Sequence, residues 1–339
     1  MFKPRYTLTD TLLANISVTE RLYGQLEALR IPRELQLNLE RNNLVTSTYI
    51  SNSIEGNPLT LPEVTNLLLG DRVPVNRNEK EVHNYFDILK NLDEYSKSIL
   101  SLDTVSTIHK RLLTDVKIDI AGVIRNKPVA VGSYYYDGGI RRLKIQHQPP
   151  YHKQQEIRAE LNALLAWTEQ SNLPTSLLTG IFHHQFVYIH PFGDGNGRTC
   201  RLLMALIFLQ KHYSINKYFV LDDYYDIDRL QYSEKLHSAD SGDKTMWLEY
   251  FTDGIKYSLQ GALAKAKDAI VTVALSKQPT PREKDALELF QSHQEVSSAM
   301  VGTRLHVSRQ QAHKLLQVLE KRGFVKKIGS TKASYYVLV

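Results

Sequence analysis

Past the middle of the chain lies the segment His190-Pro191-Phe192-Gly193-Asp194-Gly195-Asn196-Gly197-Arg198-Thr199-Cys200-Arg201. Within twelve residues it carries an imidazole, a carboxylate, three glycines and two guanidinium groups. Pro191 and Gly193 end the apolar helical segment that precedes it, and a second apolar helix begins near Arg198. The segment therefore predicts a loop that leads directly into the N-terminus of a buried helix.

Such a helix N-terminus is suited to binding an anion. The first N–H groups of a helix have no intrahelical partner, and the helix dipole is positive there, so a phosphate can bind against Gly195, Asn196 and Gly197. Arg198 and Arg201 are three residues apart and share one face of the helix. Together they could bind successive phosphates of a polyphosphate.

The remaining charged groups of the segment predict a reaction at that phosphate. Asp194 would repel an anion unless it held a Mg2+ ion that bridges two phosphates, because hard cations bind carboxylate and phosphate oxygens together. His190 lies across the loop in the position of a general base.

The segment resembles the signature of the Fic family, HxFx(D/E)GNGRxxR, and matches it at every specified position: His190, Phe192, Asp194, Gly195, Asn196, Gly197, Arg198 and Arg201. A P-loop needs Gly-Lys-Ser/Thr and a dinucleotide-binding turn needs a preceding strand, so neither pattern fits this sequence. The resemblance implies a protein adenylylyltransferase, which moves AMP from ATP to a Ser, Thr or Tyr hydroxyl of a target protein or of itself.

The resemblance also implies a role for each residue of the loop. His190 would take the proton of the attacking hydroxyl, Asp194 would hold Mg2+, and Asn196 with the neighbouring N–H groups would stabilise the α-phosphate. Arg198 would bind the β-phosphate and Arg201 the γ-phosphate. Phe192 would anchor the loop in the core. The implied ATP-binding positions of the loop are Asp194, Gly195, Asn196, Gly197, Arg198, Thr199, Cys200 and Arg201.

An N-terminal segment resembles the inhibitory motif of the same family, (S/T)xxxE(G/N). Ser51 and Glu55 are four residues apart on one predicted helix face, and Gly56 is suited to a left-handed helix cap before Pro58. The resemblance implies that Glu55 pairs with Arg201 and blocks the γ-phosphate, so that the enzyme inhibits itself and Glu55 borders the ATP site. Whether Glu55 also supports removal of AMP stays open.

A β-hairpin is predicted before the signature segment. Its strands would be 128–132 and 140–145, around a Tyr-Asp-Gly-Gly turn. Its place in the chain matches the Fic flap, which pairs with the target as an added strand. An ordinary surface hairpin would show the same sequence pattern and stays an alternative. The resemblance further implies that the first strand borders the nucleotide, through Val129, Ala130, Val131 and Gly132.

Two later residues are candidates for contacts with the nucleoside. A tyrosine and an Asn or Asp contact the base and ribose in the family, and Tyr232 and Asp240 occupy similar positions here. Core packing is the alternative for Tyr232. Adjacent His183 and His184 point apart on a helix, so no zinc site is expected of them.

The end of the chain resembles a winged helix-turn-helix after a linker at 276–281. Helices are predicted at 282–292 and 298–305 and after Ser308, followed by strands at 324–328 and 334–338. Residues 279–339 contribute +5 of the net charge of +6. Basic charge suits contact with DNA, but winged helices also dock proteins, and both interpretations stay open.

The expected fold is mainly α, with a helical Fic core, a β-hairpin flap and a winged-helix domain, divided as 1–100, 101–275 and 276–339. No apolar run approaches the ~20 residues that span a membrane, and no signal-peptide core is evident, so a cytoplasmic location without membrane contact is expected. The single cysteine, Cys200, excludes an internal disulfide. Three alternatives stay open: a nucleotide-sensing DNA-binding regulator, transfer of another phosphate-linked group, and a homodimer.

Overall fold

The computed structural model describes residues 2–70, 72–214, 220–277, 279–329 and 334–339. These residues form two compact units, Met1–Ala266 and Lys267–Val339. Residues 1–100, expected as a region of their own, lie within the first unit. The described residues are mostly helical, which confirms the expected fold class.

In the described part of the chain, six helices precede the β-hairpin. Thr9 begins the first by accepting a hydrogen bond from the N–H of Leu12, and left-handed Gly56, with φ of 87°, follows the second. The third was not expected from the sequence. The bounds are α1 Asp10–Ala28, α2 Arg33–Ile54, α3 Leu61–Leu69, α4 Arg77–Lys90, α5 Asp93–Ser96 and α6 Leu102–Leu112.

The hairpin consists of β1 (Val131–Asp137) and β2 (Ile140–His147), which pair antiparallel. Gly138 and Gly139 form the turn with φ of 57° and 84°, as a two-residue hairpin loop requires. The prediction of a first strand at 128–132 was wrong. A two-residue loop joins directly paired residues, so Asp137 must pair with Ile140 and the strand must reach the turn.

The core of the first unit surrounds two adjacent helices that are buried along almost their whole length. These are α8 (Thr175–Ile189) and α9 (Asn196–Gln210), and the signature loop joins them. The fully buried indole of Trp247 donates to the carbonyl of Gly180 at 2.7 Å, which ties a later helix to α8. The other helices are α7 Gln154–Gln170, α10 Asp223–Ile227, α11 Arg229–Ser238 and α12 Thr245–Lys277, with a 3-10 turn at Ala239–Ser241.

The second unit contains a winged helix-turn-helix, as predicted. Thr280 and Glu283 form a capping box at its first helix, and Phe290, Leu316 and Tyr336 meet in its core. The predicted linker is shorter than expected, since α12 continues to Lys277. Gln278 and 330–333, with Lys332, lie outside the described residues. The elements are α13 Pro281–Ser292, α14 Ser298–Leu305, α15 Arg309–Lys321, β3 Val325–Ile328 and β4 Tyr335–Leu338.

None of the helices in the described ranges combines the length and the apolar character that crossing a lipid bilayer requires.

Candidate active site

His190 ends helix α8 in the left-handed conformation, with φ of 51° and ψ of 62°. Its N–H donates to the carbonyl of Phe186 at 2.9 Å. Arg125 binds the backbone at this position. Its Nε donates to the carbonyl of His190 at 2.6 Å, and its Nη2 donates to the carbonyl of the preceding residue, Ile189, at 3.1 Å. The Arg125 guanidinium therefore helps to maintain a backbone conformation that is uncommon for a residue with a side chain.

The His190 imidazole is prepared to accept a proton. Its Nδ1 lies 3.2 Å from the carbonyl of Val187, which requires the proton on Nδ1 and leaves Nε2 as an acceptor. Burial lowers the pKa of His190 to about 4. At neutral pH the ring is therefore uncharged, the form that a general base needs.

Phe192 and Asn196 fix the shape of the loop. The Phe192 ring is fully buried and stacks on His109, with ring centroids 3.6 Å apart. The Asn196 side chain accepts from the N–H of Phe192 and donates to its carbonyl, each at 2.9 Å. Both polar atoms of the Asn196 side chain are thus bonded within the loop, and its backbone N–H is what it presents at the start of α9.

Asp194 is the carboxylate of the loop. Its Oδ1 accepts from the N–H of Gly195 at 2.6 Å, and its Oδ2 pairs with the ammonium of Lys117. Burial acts to raise the pKa of Asp194, but Lys117 and Arg198 outweigh it and the pKa is lowered. An ionised, partly exposed carboxylate that already neutralises a cation is a suitable ligand for Mg2+.

Arg198 lies on the first turn of α9 and is buried with its counter-ion. Its Nη1 donates to Glu81 Oε2 at 3.1 Å and lies 3.4 Å from Asn52 Oδ1. Among the residues that the structure describes, no acceptor bonds the buried Arg198 Nε. An unpaired buried guanidinium N–H is costly, and an anionic ligand at the helix N-terminus would satisfy it.

Arg201 is bound by both polar residues of the N-terminal motif. Its Nε donates to Ser51 Oγ at 2.7 Å, and its Nη2 donates to Glu55 Oε1 at 2.7 Å and to the Ser51 carbonyl at 2.9 Å. Burial acts against the charge of Arg201, but the carboxylates of Glu55 and Asp222 outweigh it and raise the pKa of the guanidinium. The contact that the resemblance implied between Glu55 and Arg201 is therefore present.

Gly197 makes room for that contact. A Cβ atom built on Gly197 would collide with Glu55 Oε1, so only glycine allows the carboxylate to approach the first turn of α9. Glu55 consequently lies where the helix N-terminus and Arg201 would both attract a phosphate.

Comparison with protein families identifies two segments. The model of the Fic/DOC family matches residues 99–208, which include the whole loop from His190 to Arg201. The chain is a Fic-domain protein. The model of the MarR family matches residues 278–333, which agrees with the winged helix seen in the second unit. The Fic domain proper thus includes the hairpin and the signature loop, while Ser51 and Glu55 precede it.

Relatives of this Fic-domain protein include two animal enzymes. The protein adenylyltransferase fic-1 of Caenorhabditis elegans is 27% identical over 257 residues, covering 72% of this chain and 46% of the relative. The protein adenylyltransferase Fic of Nematostella vectensis is 28% identical over 226 residues, covering 64% and 48%. The chain spans about half the length of these relatives.

Two solved structures share the fold. A Fic family protein from Desulfovibrio desulfuricans G20 superposes with a TM-score of 0.66 at 22% identity, covering 100% of this chain and 98% of that one. Fic-1 from Caenorhabditis elegans superposes with a TM-score of 0.59 at 23% identity, covering 74% and 71%. At these identities the likeness concerns the fold.

The other predicted ATP-binding positions of the Fic domain lie at different depths. Thr199 and Cys200 are fully buried, and the Cys200 thiol donates to the carbonyl of His183 at 3.7 Å, so Cys200 is a packed residue. Gly132 lies at an irregularity at the start of β1, where a Cβ atom would collide with the Lys144 carbonyl. Val129 and Ala130 precede that strand, and Val131 begins it.

Tyr232 and Asp240, the predicted nucleoside contacts, both bond to histidines. The Tyr232 hydroxyl lies 2.9 Å from His183 Nε2, and its ring stacks on Tyr225 with centroids 4.5 Å apart. A carboxylate oxygen of Asp240 lies within 3.2 Å of a ring nitrogen of each of three histidines, His147, His184 and His237. Burial acts to raise the pKa of Asp240, but these bonds hold the pKa well below its usual range. The nucleoside contacts stay a prediction.

Four residues that support the Fic loop were not predicted from the sequence: Glu81, His109, Lys117 and Arg125. His109 accepts from the N–H of Gly122 at 2.9 Å through Nδ1, so its Nε2 donates to the Asp194 carbonyl at 2.9 Å. Three of them, His109, Lys117 and Arg125, share the signal of a polar side chain directly after an apolar residue, whereas Glu81 follows polar residues on α4 and lacks that signal. That signal alone does not reveal which distant group each one meets.

Proposed function

We propose that the chain is a protein adenylylyltransferase, which transfers AMP from ATP to a Ser, Thr or Tyr hydroxyl of a protein. The observation that carries this proposal is the arrangement of His190 beside a helix N-terminus that presents Arg198 and Arg201. Two relatives named protein adenylyltransferase support the proposal from sequence.

In this mechanism His190 acts on the acceptor hydroxyl. Its Nε2 takes the hydroxyl proton as the oxygen attacks the α-phosphorus of ATP, and pyrophosphate leaves in line. The backbone N–H groups at the start of α9 stabilise the charge on the α-phosphate, and Arg198 and Arg201 hold the leaving phosphates. The exposed hairpin β1–β2 would pair with the target segment and bring its hydroxyl to His190.

Asp194 is the residue that would hold Mg2+, through its carboxylate. A bound Mg2+ would neutralise charge that develops on the phosphates. The Lys117 ammonium has to move away from Asp194 before the carboxylate can bind Mg2+. While the ion pair persists, the ammonium neutralises Asp194 instead of the metal ion.

We further propose that Glu55 inhibits transfer. Its carboxylate binds Arg201 and lies against Gly197, so a γ-phosphate cannot bind the same guanidinium in the same place. The Arg201 side chain is 2% exposed and that of Glu55 is 30% exposed, so solvent screens the pair only from the side of the carboxylate. Removal of the Glu55 carboxylate frees Arg201 for the nucleotide.

The test uses the wild type, Glu55→Gly, His190→Ala and the double variant, each incubated with Mg-ATP and measured by intact mass. We expect Glu55→Gly to gain AMP on itself, the wild type to gain less, and both variants without His190 to gain none. Equal gains with and without His190 would contradict the mechanism. Gains that do not depend on Glu55 would contradict the inhibition while leaving the transferase intact.

The same assay separates the related reactions. With UTP or CTP in place of ATP, a mass gain of UMP or CMP would indicate another base. Wild-type protein is then added to Glu55→Gly protein that already carries AMP, and unmodified Glu55→Gly is added in a parallel control. Loss of AMP with the wild type but not in the control would indicate that Glu55 also supports AMP removal.

A second candidate function is binding of duplex DNA. The MarR-family match at residues 278–333 and the exposed Arg309, Gln310, Lys314 and Lys321 on α15 favour it. Such binding is compatible with catalysis by the first unit, so the two functions are tested separately.

A further inference from the structure

Four side chains converge beside the base of the hairpin. His147 is the last residue of β2, His237 lies on α11, Asp240 lies in the 3-10 turn, and His184 lies on α8. We propose that His147, His237 and Asp240 form a binding site for a divalent transition-metal ion of the zinc class. The proposed transfer reaction gives no role to His147 or His237, and Asp240 enters it only as a predicted nucleoside contact.

The three donor atoms are already close together. His147 Nδ1 lies 2.7 Å and His237 Nδ1 lies 3.2 Å from Asp240 Oδ2, and all three atoms lie within 4.8 Å of one another. Ligand atoms about 2.1 Å from a tetrahedral zinc ion are separated by roughly 3.4 Å. Small side-chain movements would therefore produce the coordination geometry.

The ring positions agree with two imidazoles on one ion. The ring centroids of His147 and His237 are 5.1 Å apart. Two imidazoles bound through one nitrogen each to the same tetrahedral ion have centroids about 5 Å apart, from the metal–nitrogen distance and the size of the ring.

Neighbouring groups bond to the proposed ligand residues and orient them, as is usual around metal ions in proteins. His147 Nε2 lies 3.2 Å from the carbonyl of Tyr188, so that nitrogen carries a proton and Nδ1 faces the site. Asp240 Oδ1 accepts from His184 Nε2 at 2.9 Å, and His184 Nδ1 accepts from Lys244 Nζ at 2.6 Å. His184 thus orients the carboxylate of Asp240, whose Oδ2 faces His147 and His237.

The donor set indicates which metal would bind. Two imidazole nitrogens and one carboxylate oxygen suit Zn2+ and similar ions, whereas Mg2+ prefers oxygen ligands. The His147 side chain is 2% exposed, but those of His237 and Asp240 are 16% and 26% exposed. An ion can therefore enter from solvent and keep a water as its fourth ligand.

A bound ion would join three elements. It would fasten the end of β2 to α11 and to the 3-10 turn, and the His147 ring lies 6.5 Å from that of His190. Zinc would therefore restrain the base of the hairpin next to the proposed general base.

The test is a titration of the full-length, chelator-stripped protein with ZnCl2 by calorimetry, without nucleotide or Mg2+. We expect one ion per chain, and a roughly tenfold or greater loss of affinity in both His147→Ala and His237→Ala. The matched control is His152→Ala, which removes an exposed histidine close to β2 and should bind zinc like the wild type.

Cobalt(II) provides a second readout on the wild type alone, which does not depend on how the variants fold. Binding at the proposed site should produce the intense visible absorption of tetrahedral Co2+, and Zn2+ should displace it. No ion uptake, an octahedral cobalt spectrum, or zinc affinity that is the same in folded His147→Ala and His237→Ala would each overturn the proposal. Failure of these tests leaves the transferase untouched, because no nucleotide is present.

Discussion

His190 combines an unusual backbone with an unusual side-chain environment. Its left-handed φ of 51° turns the chain out of α8 at the residue that would do the chemistry. A conformation of this kind costs of order 1 kcal/mol or more, and the hydrogen bonds from Arg125 help to offset that cost. The same enclosed position that shapes the backbone also keeps the ring uncharged.

We expect the pH dependence of AMP transfer to reflect that enclosure. The pKa of His190 is lowered to about 4, so the ring stays neutral, and able to accept a proton, until the pH falls toward 4. The Glu55 carboxylate raises the pKa of His190, so its removal lowers that pKa further. The transfer rate of Glu55→Gly, measured between pH 4 and 8 on protein checked for native circular dichroism, should therefore keep at least half its value down to about pH 4. A half-loss near pH 6.5, the value of a solvated imidazole, would contradict this assignment.

Sequence reasoning at the residue scale worked where a motif is local. His190, Asp194 and Arg201 occur in one short segment, and a helix that starts at a fixed point determines which side chains share a face. Arg125 and Glu81 act on the same loop from distant segments. Their partners depend on how helices pack, and periodicity contains no information about that.

At the scale of elements, the N-terminal helix α2 is held by several neighbours at once. It contacts α9 through Ser51 and Glu55, and Arg229 at the start of α11 donates to the carbonyl of Ser53 at 2.9 Å. Helix α4 contributes Glu81, whose pair with Arg198 is almost fully enclosed. Helices α2 and α4 thus each place a carboxylate on one arginine of the loop.

We expect Glu81→Ala to be strongly destabilising. It leaves the Arg198 guanidinium buried without its counter-ion, and loss of one partner of a buried pair costs about 3–5 kcal/mol. Urea unfolding followed by circular dichroism measures the free energy of unfolding. The matched control is Glu94→Ala, whose side chain is 67% exposed and should change that energy by about 0.5 kcal/mol or less. Equal effects of the two changes would contradict the buried pair.

The elements show where sequence patterns were sufficient. The helices of the second unit follow apolar periodicity and their caps, and the predicted helices at 282–292 and 298–305 agree with α13 and α14 to within one residue. The first strand of the hairpin was misplaced because the sequence of Val131–Asp137, VGSYYYD, does not alternate apolar and polar residues, so no period-2 pattern marked its position. Helix α3 was missed because it is short and follows a loop.

At the scale of the whole molecule, the chain carries two units with separate cores. The second unit is basic, and its helix α15 exposes Arg309 and Lys314. Its assignment as a winged helix was accessible from sequence, since three amphipathic helices and two short strands follow one another. The surface that it would present to a partner could not be identified, because a basic face suits DNA and solvent alike.

We expect the double variant Arg309→Glu/Lys314→Glu to bind duplex DNA more weakly than the wild type. Each lost phosphate contact should reduce the slope of log affinity against log salt concentration by about 1. Fluorescence anisotropy at several salt concentrations measures both quantities. Lys284→Glu reverses one charge at an exposed position of α13 and should have a smaller effect on DNA affinity. His190→Ala should have no effect. DNA affinity that is equally insensitive to all of these changes would exclude α15 as the DNA-binding element.

The contact between Glu55 and Arg201 joins residues 146 positions apart, and its order along the chain has a consequence for synthesis. Chains grow from the N-terminus at roughly 5–20 residues per second, so Glu55 leaves the ribosome roughly 7–30 s before Arg201. Helix α2 is therefore available before the arginine that it binds has been made. A newly synthesised molecule need never pass through a stage in which the signature loop is complete and the Glu55 carboxylate is absent.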